Sequence, residues 1–487
     1  MSGPPTTRRG ATSAVVFLTM FLVSLDLSIV NVALPAMDAA LDLGPTGLAW
    51  VINAFLLPYA GLLLLGGRLA DLVGRRTLLL GSLGVFAVAS LFGGAAQEGW
   101  QLIVGRGLQG VAAAVLTPMS LALVTSEFEE GAARNKAMAV WGGAGAAGGA
   151  LGVVLSGLLT DHLNWRWVMW VNVVFVVAAM VAVLRGVDNR IPAGRRRPDI
   201  LGGLLVTAGV TALVMGVIDT GDRGWGAPQV VGWFGAGVVA LLAFAAVETR
   251  VADPLIPLEF LRRRALIGAS VFGFLLTSAQ IASFFFVSQI MQRVLGYSPT
   301  ETGLSFLPFC VGIMIGLRAA QVVARDHGPR PVLLAGGLLG AAGLFWFGFT
   351  GPASGFVTGI LGPSLVCSIG VGAAMVAMGL AASSGVPVDQ AGLASGILSS
   401  ARQLGGALGL AVLVTVADSV TGDGTTPGAL SDGFATALRV AAVLLVIGAV
   451  AATVIVPASH PKPPISDSGD VMSRSSPAAD ITAEEPR

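Results

Sequence analysis

Residues 45–80 read PTGLAWVINAFLLPYAGLLLLGGRLADLVGRRTLLL. An apolar block over about 47–66 is followed by a short charged stretch, and a second apolar block opens at about residue 77. About 20 apolar residues are what an α-helix needs to cross roughly 30 Å of hydrocarbon. Gly67 and Gly74 permit a tight turn between the blocks, and Arg68, Arg75 and Arg76 crowd that turn with positive charge. The stretch therefore predicts a membrane helical hairpin with a basic connection.

Working outward, similar blocks fall near 13–37, 101–125, 135–160, 166–186, 199–219, 228–248, 265–290, 302–323, 331–350, 355–380, 391–416 and 433–456. With the first pair they make fourteen. Of the 487 residues, 54% are hydrophobic and 11% charged, against about 25% charged in an ordinary soluble protein. Blocks this long, without the two-residue alternation of barrel strands, can cross lipid only as helices, because a helix satisfies its own backbone groups. The expected fold is an all-α polytopic membrane protein. A net charge of +1 gives no reason to expect a nucleic-acid partner.

An even number of spans puts both termini on one side. Most of the chain's 28 basic residues fall on that side, and basic residues concentrate in cytoplasmic loops, so both termini are expected in the cytoplasm. Residues 299–334, PTETGLSFLPFCVGIMIGLRAAQVVARDHGPRPVLL, align with 45–80 without a gap and pair Pro45 with Pro299, Thr46 with Thr300, Gly74 with Gly328 and Arg76 with Arg330. The offset is eight helices, and an even offset preserves direction, which suggests two parallel halves. The expected divisions are a cytoplasmic N-terminus (1–12), a six-helix half (13–186), two inserted helices with basic flanks (187–264), a second six-helix half (265–456) and a disordered tail (457–487).

Two ionisable residues fall deep in the first half. Asp26 is roughly 20 Å from the cytoplasmic end of helix 1, and Arg106 about 9 Å below the opposite end of helix 4, which runs the other way. Charges in hydrocarbon are costly and normally face a partner or a cavity. The two readings are a structural pair, or proton or substrate handling. In the charged turn, Gly67, Arg68, Asp71, Gly74, Arg75 and Arg76 read as a conformational latch, with Asp71 able to hold a neighbouring helix end or an arginine in one state and release it in another. Gly148, Gly152 and Gly157 in helix 5 permit close helix approach. Asn31, Asn53, Gln109, Gln280, Gln289 and Gln292 are candidates for a substrate path, with interhelical hydrogen bonding as the alternative. Arg402 has no evident acidic partner in the sequence. Cys310 and Cys367 read as packing residues, and His162 as an interfacial anchor rather than a metal ligand, so no metal site is expected. The two lysines, Lys136 and Lys462, are not in a phosphate-binding loop. No ATPase domain and no cofactor are expected, and an ion gradient is the expected energy source.

The run Leu25-Asp26-Leu27-Ser28-Ile29-Val30-Asn31-Val32-Ala33-Leu34-Pro35 and the turn from Gly67 to Arg76 resemble the helix 1 signature and loop motif of the major facilitator superfamily, in particular its fourteen-span drug:proton antiporters. Arg106-Gly107-Leu108-Gln109-Gly110 is similar to the family's helix 4 motif, whose arginine is implicated in proton coupling. Leu295-Gly296-Tyr297-Ser298-Pro299 and Arg402-Gln403-Leu404-Gly405-Gly406 are also typical. The resemblance implies a proton-coupled exporter of small amphipathic drugs or toxic metabolites in a bacterial plasma membrane, with the substrate, protons and the lipid bilayer as partners. One departure stands out: helix 5 has Gly152-Val153 and Ser156-Gly157 where the antiporter signature has a Gly-Pro step and a later Gly-Gly. Competing readings are a narrow-specificity metabolite transporter of the same fold and a transporter-like receptor without flux.

Overall fold

The computed structural model describes residues 6–129, 131–188, 199–251, 254–257, 259–387, 390–422, 424 and 426–457. The side chains of 6–9, Ala70, Asp71, Gly221, Asp222 and Leu261 lie outside what is described. So do the basic loop around Arg196, residue Asp423 and the tail from residue 458.

Among the described residues, fourteen helices are long and apolar enough to cross a membrane. The first half comprises α1 (Thr6–Leu41), α2 (Gly44–Val73), α3 (Arg75–Gly94), α4 (Gly99–Glu127), α5 (Ala132–His162) and α6 (Arg166–Gly186). Two further spans follow, α7 (Ile200–Arg223) and α8 (Pro228–Glu248). The second half comprises α9 (Arg264–Gln289), α10 (Pro299–Ser305) with α11 (Leu307–His327), α12 (Pro329–Phe347), α13 (Gly362–Ser383), α14 (Ala391–Thr421) and α15 (Pro427–Ile455). With an even number of spans, both ends of the bundle emerge on one face, here the terminal face; the other is the distal face.

Several helix edges differ from the sequence expectation. α1 starts at Thr6 rather than near residue 13, because polar residues outside the hydrocarbon continue the helix that the apolar block starts. The tenth span, expected at 302–323, begins at Pro299 and is divided at Phe306 into α10 and α11. Ser298 caps it: its hydroxyl accepts from the Glu301 N–H, while the Glu301 carboxylate accepts from the Ser298 N–H at 2.8 Å, a reciprocal pair that fixes a helix start. Pro308, just past the break, lacks the N–H that would continue the ladder. Segments of π-helix at Ile290–Val294 and Val357–Leu361 extend the ninth and twelfth spans.

In the first half α1 packs on α4, α5 and α6, α2 on α4, and α3 on α4 and α6. The second half repeats this arrangement: α9 packs on α13, α14 and α15, α11 on α13, and α12 on α13 and α15. Gly74 and Gly328, paired by the internal repeat, are both helix N-caps, with φ of 84° and 75°. Residues with a Cβ rarely adopt this conformation, so the repeat preserves a glycine where the chain reverses. The halves meet mainly through α2 with α14 and through α5 with α10. α7 contacts both α2 and α14, and α8 packs on α7.

Candidate functional site

Opposite running directions bring the carboxylate of Asp26 on α1 and the guanidinium of Arg106 on α4 to the same depth. Arg106 Nη1 donates to Asp26 Oδ2 at 2.5 Å and to Gln109 Oε1 at 2.8 Å. Its Nε donates to the Val51 carbonyl of α2 at 3.1 Å, and the guanidinium stacks over the Phe55 ring at 4.6 Å. Asp26 Oδ1 accepts from Gln109 Nε2 (3.1 Å) and Asn172 Nδ2 (2.7 Å). Gln109 Nε2 also donates to Ser90 Oγ, 2.9 Å away on α3. Asp26, Gln109, Ser90 and Asn172 have no accessible surface, and Arg106 keeps 2%. One network thus links α1, α2, α3, α4 and α6. Burying an ion pair is tolerable only when hydrogen bonds satisfy the remaining donors and acceptors, which Gln109 and Asn172 provide for Asp26.

Asn172 and Ser90 were not among the sequence candidates. An asparagine amid Trp-Val-Asn-Val-Val was available to the same rule that singled out Asn31, whereas a serine on a helix gives no comparable signal.

The six proposed path residues divide. Gln109 belongs to the ion-pair network rather than to an open path. The Asn31 side-chain amide donates to the Leu27 carbonyl of its own helix (3.0 Å) with Oδ1 unpartnered, and the Asn31 main-chain carbonyl accepts from Ser288 Oγ (3.0 Å). Gln292 donates to the Val32 carbonyl at 2.9 Å. Arg293 pairs with Asp38 at 2.6 Å. These three α9-side contacts join the halves at the distal ends of α1 and the ninth span. Gln289 is buried there with Oε1 unpartnered, Asn53 is buried on α2 with both amide atoms unpartnered, and Gln280 is half-buried on α9.

On α5, a Cβ at Gly148 would stand 2.5 Å from the Phe21 carbonyl oxygen, and one at Gly152 2.8 Å from that of Leu25. These glycines let α5 touch α1 backbone to backbone. Gly157 faces Pro299 and Thr300 at the distal face. Val153, in place of the family's proline, leaves α5 continuous; its carbonyl lies against Gly303 of α10. Ser156 is buried with its hydroxyl unpartnered. Nearer the terminal face, Gly142 and Gly143 look into open space. At the distal face the halves are thus fastened through α1, α5 and the ninth and tenth spans, in addition to the α2–α14 contact, which reaches toward the terminal face where Gly396 meets Leu64.

In the latch candidate, Arg68 Nη2 donates to the Pro254 carbonyl in the α8–α9 linker (2.6 Å), and Arg75 donates to Ser126 Oγ (2.7 Å), with Glu127 3.8 Å away. Gly67 lies near Pro118, and Arg76 is partly exposed. Arg402 on α14 donates from Nε to Thr277 Oγ1 on α9 at 3.4 Å.

The Major Facilitator Superfamily model matches residues 16–410. The chain is 40% identical over 451 residues to the cephamycin export protein CmcT of Amycolatopsis lactamdurans, covering 91% of this chain and 92% of that one. It is 37% identical over 466 residues to the puromycin resistance protein pur8 of Streptomyces alboniger (93% and 92%), and 34% identical over 407 residues to the tetracenomycin C resistance and export protein of Streptomyces glaucescens (83% and 75%). Among solved structures, a bacterial homologue of the human lysosomal transporter Spinster, in an inward-facing and unoccupied conformation, superposes with a TM-score of 0.64 at 15% identity, covering 93% of this chain and 98% of that one. The POT family transporter PepTSo gives 0.66, also at 15% identity and the same coverage. These structures show the fold, two six-helix halves with two additional spans between them in this chain, and the sequence relatives are transporters rather than enzymes. The chain is a multi-pass membrane transporter that belongs to the Major Facilitator Superfamily, among its drug-efflux members.

Proposed function

We propose that this transporter exports small amphipathic drugs or toxic metabolites in exchange for protons, by alternating access between the two halves. The observation that carries the reading is Asp26: an acid enclosed in the membrane bundle, bound to Arg106 and wired into five helices. A carboxylate so placed has two ways of being accommodated, as an ion pair or as a neutral acid, and a motion that changes its distance from Arg106 makes protonation depend on which side is open. The names of the relatives support the substrate class, since they refer to cephamycin, puromycin and tetracenomycin C.

The basic-residue asymmetry supports a cytoplasmic terminal face in a bacterial plasma membrane. The distal fastening then closes the outside, and the Gly67–Arg76 turn acts as the inner latch. Energy comes from the proton gradient, with no cofactor. In this reading the two moving halves are residues 13–186 and 265–456, with the inserted pair at 187–264 between them.

The test is export by reconstituted vesicles under an imposed pH difference. Asp26→Asn should bind substrate but lose gradient-driven export, and Arg106→Ala should impair proton release. If Asp26→Asn still follows the gradient like wild type, the proton is carried elsewhere. Each relative quoted is named for a single compound, which favours a narrow substrate range as the second reading. Resistance of an exporter-deficient host to one compound rather than several unrelated ones separates the two.

A further inference from the structure

Among the described residues Arg106, Arg318, Arg402 and Arg439 lie well inside the spans, Arg439 donating to the Gly348 carbonyl beside the Phe349 ring, and remain to be set against Asp26. Arg106 neutralises it. Arg402 and Arg318 have no counter-charge: among the described residues neither has a carboxylate within ion-pair distance. Arg402 is about 17 Å along α14 from its terminal-face end, and Arg318 about 14 Å along α11 from its own, at 1.5 Å per residue. Cations at such depth are tolerated where they face water or an anion, not lipid. Arg402 is half-buried between α9 and α14 rather than exposed on the outer surface of the bundle, and so borders an internal space, whereas Arg318 is exposed on a face it shares with Met314, Ile315 and Val322.

Arg402 is also held in position. Its stem rests against Gly273 of α9, where a Cβ would stand 2.9 Å from Arg402 Cγ. Thr277 Oγ1 takes its Nε, leaving both terminal amino groups without a protein acceptor among the described residues. Tyr59 on α2 lies within electrostatic range, its hydroxyl 3.0 Å from Thr117 Oγ1 on α4. α2 and α4 belong to one half, α9 and α14 to the other. The guanidinium therefore sits at the seam between the halves, where transporters of this type hold their cargo. A cationic cargo finds no acid here, because both Asp26 oxygens already accept from Arg106, Gln109 and Asn172.

We propose that Arg402 is a specificity-determining residue that takes the carboxylate of an amphipathic substrate between its two free amino groups, with Tyr59, Thr117 and Thr277 beside it. A planar guanidinium fork matches a carboxylate with two parallel hydrogen bonds. This deepens the export reading and rests on it. The assay is equilibrium binding without a gradient, so a fault in proton coupling does not touch it, and flux without charge preference would sink this proposal alone.

The experiment uses the full chain in lipid nanodiscs, with dansyl-phenylalanine and its uncharged amide as matched probes. Wild type should bind the carboxylate at least about tenfold tighter than the amide, the size expected of a charge-assisted hydrogen bond. Arg402→Gln should bring the two probes level, and Arg402→Lys should keep a several-fold preference. Equal binding of both probes by wild type, no carboxylate binding at millimolar concentration, or an intact preference in Arg402→Gln overturns the assignment. Should Arg402→Gln not fold, the wild-type comparison and Arg402→Lys still decide, since loss of all preference in Arg402→Lys would count against a charge-based site.

Discussion

Asp26 shows how little of a buried site one residue can explain. Its partner Arg106 is legible because both charges stand out in apolar runs and opposite helix directions give them equal depth. The rest of the shell is less legible: Asn172 is 146 positions away in sequence and reaches Asp26 only because α1 and α6 pack together. Its hydrogen bond is to the carboxylate that carries the proton in the proposed mechanism, and hydrogen bonds to the charged form favour that form. Asn172→Leu should therefore insert normally but displace the pH–transport profile. A profile superimposable on wild type would mean that Asn172 only fills space. The sequence could not say which polar residues spend their hydrogen bonds inside the protein, and Gln109, proposed for the path, is one that does.

Among the elements, α5 depends most on what its glycines touch. Its two sides are distinguishable in the structure and not in the sequence, where Gly148 and Gly149 are equivalent members of one glycine-rich run. Gly148 faces the α1 backbone, whereas Gly149 has open space before it. Gly148→Val should force α1 and α5 apart and cost about 1–3 kcal/mol, the usual range for overpacking, seen as a lower melting temperature and a smaller monodisperse yield. Gly149→Val should stay close to wild type. Equal stability of the two variants would show that the α1–α5 contact is looser than its geometry implies. Existence and order of the helices were legible because each is a long apolar block. The break at Phe306 and the π-helical segments were not, since hydropathy is blind to a change in backbone hydrogen-bond spacing.

At the scale of the whole molecule, the gapless pairing of residues 45–80 with 299–334 made the parallel repeat readable, and Gly74 and Gly328 recur as caps of the same geometry. Orientation rests on charge. With Cys310 and Cys367 replaced, a membrane-impermeant thiol reagent should label Asp423→Cys in intact cells and leave Arg196→Cys unlabelled; the reverse pattern would invert the topology. The position of α7 carries a different consequence. It lies along both α2 and α14, with Gly61 against Thr207 and Thr415 Oγ1 donating to the Val217 carbonyl at 3.4 Å. That flank of the seam is covered by α7, while among the described residues no helix packs across the α5–α11 flank in the same way. For a compound that arrives from the leaflet rather than from water, the α2–α14 flank is the barred approach, so any entry from the lipid would have to be made on the α5–α11 flank.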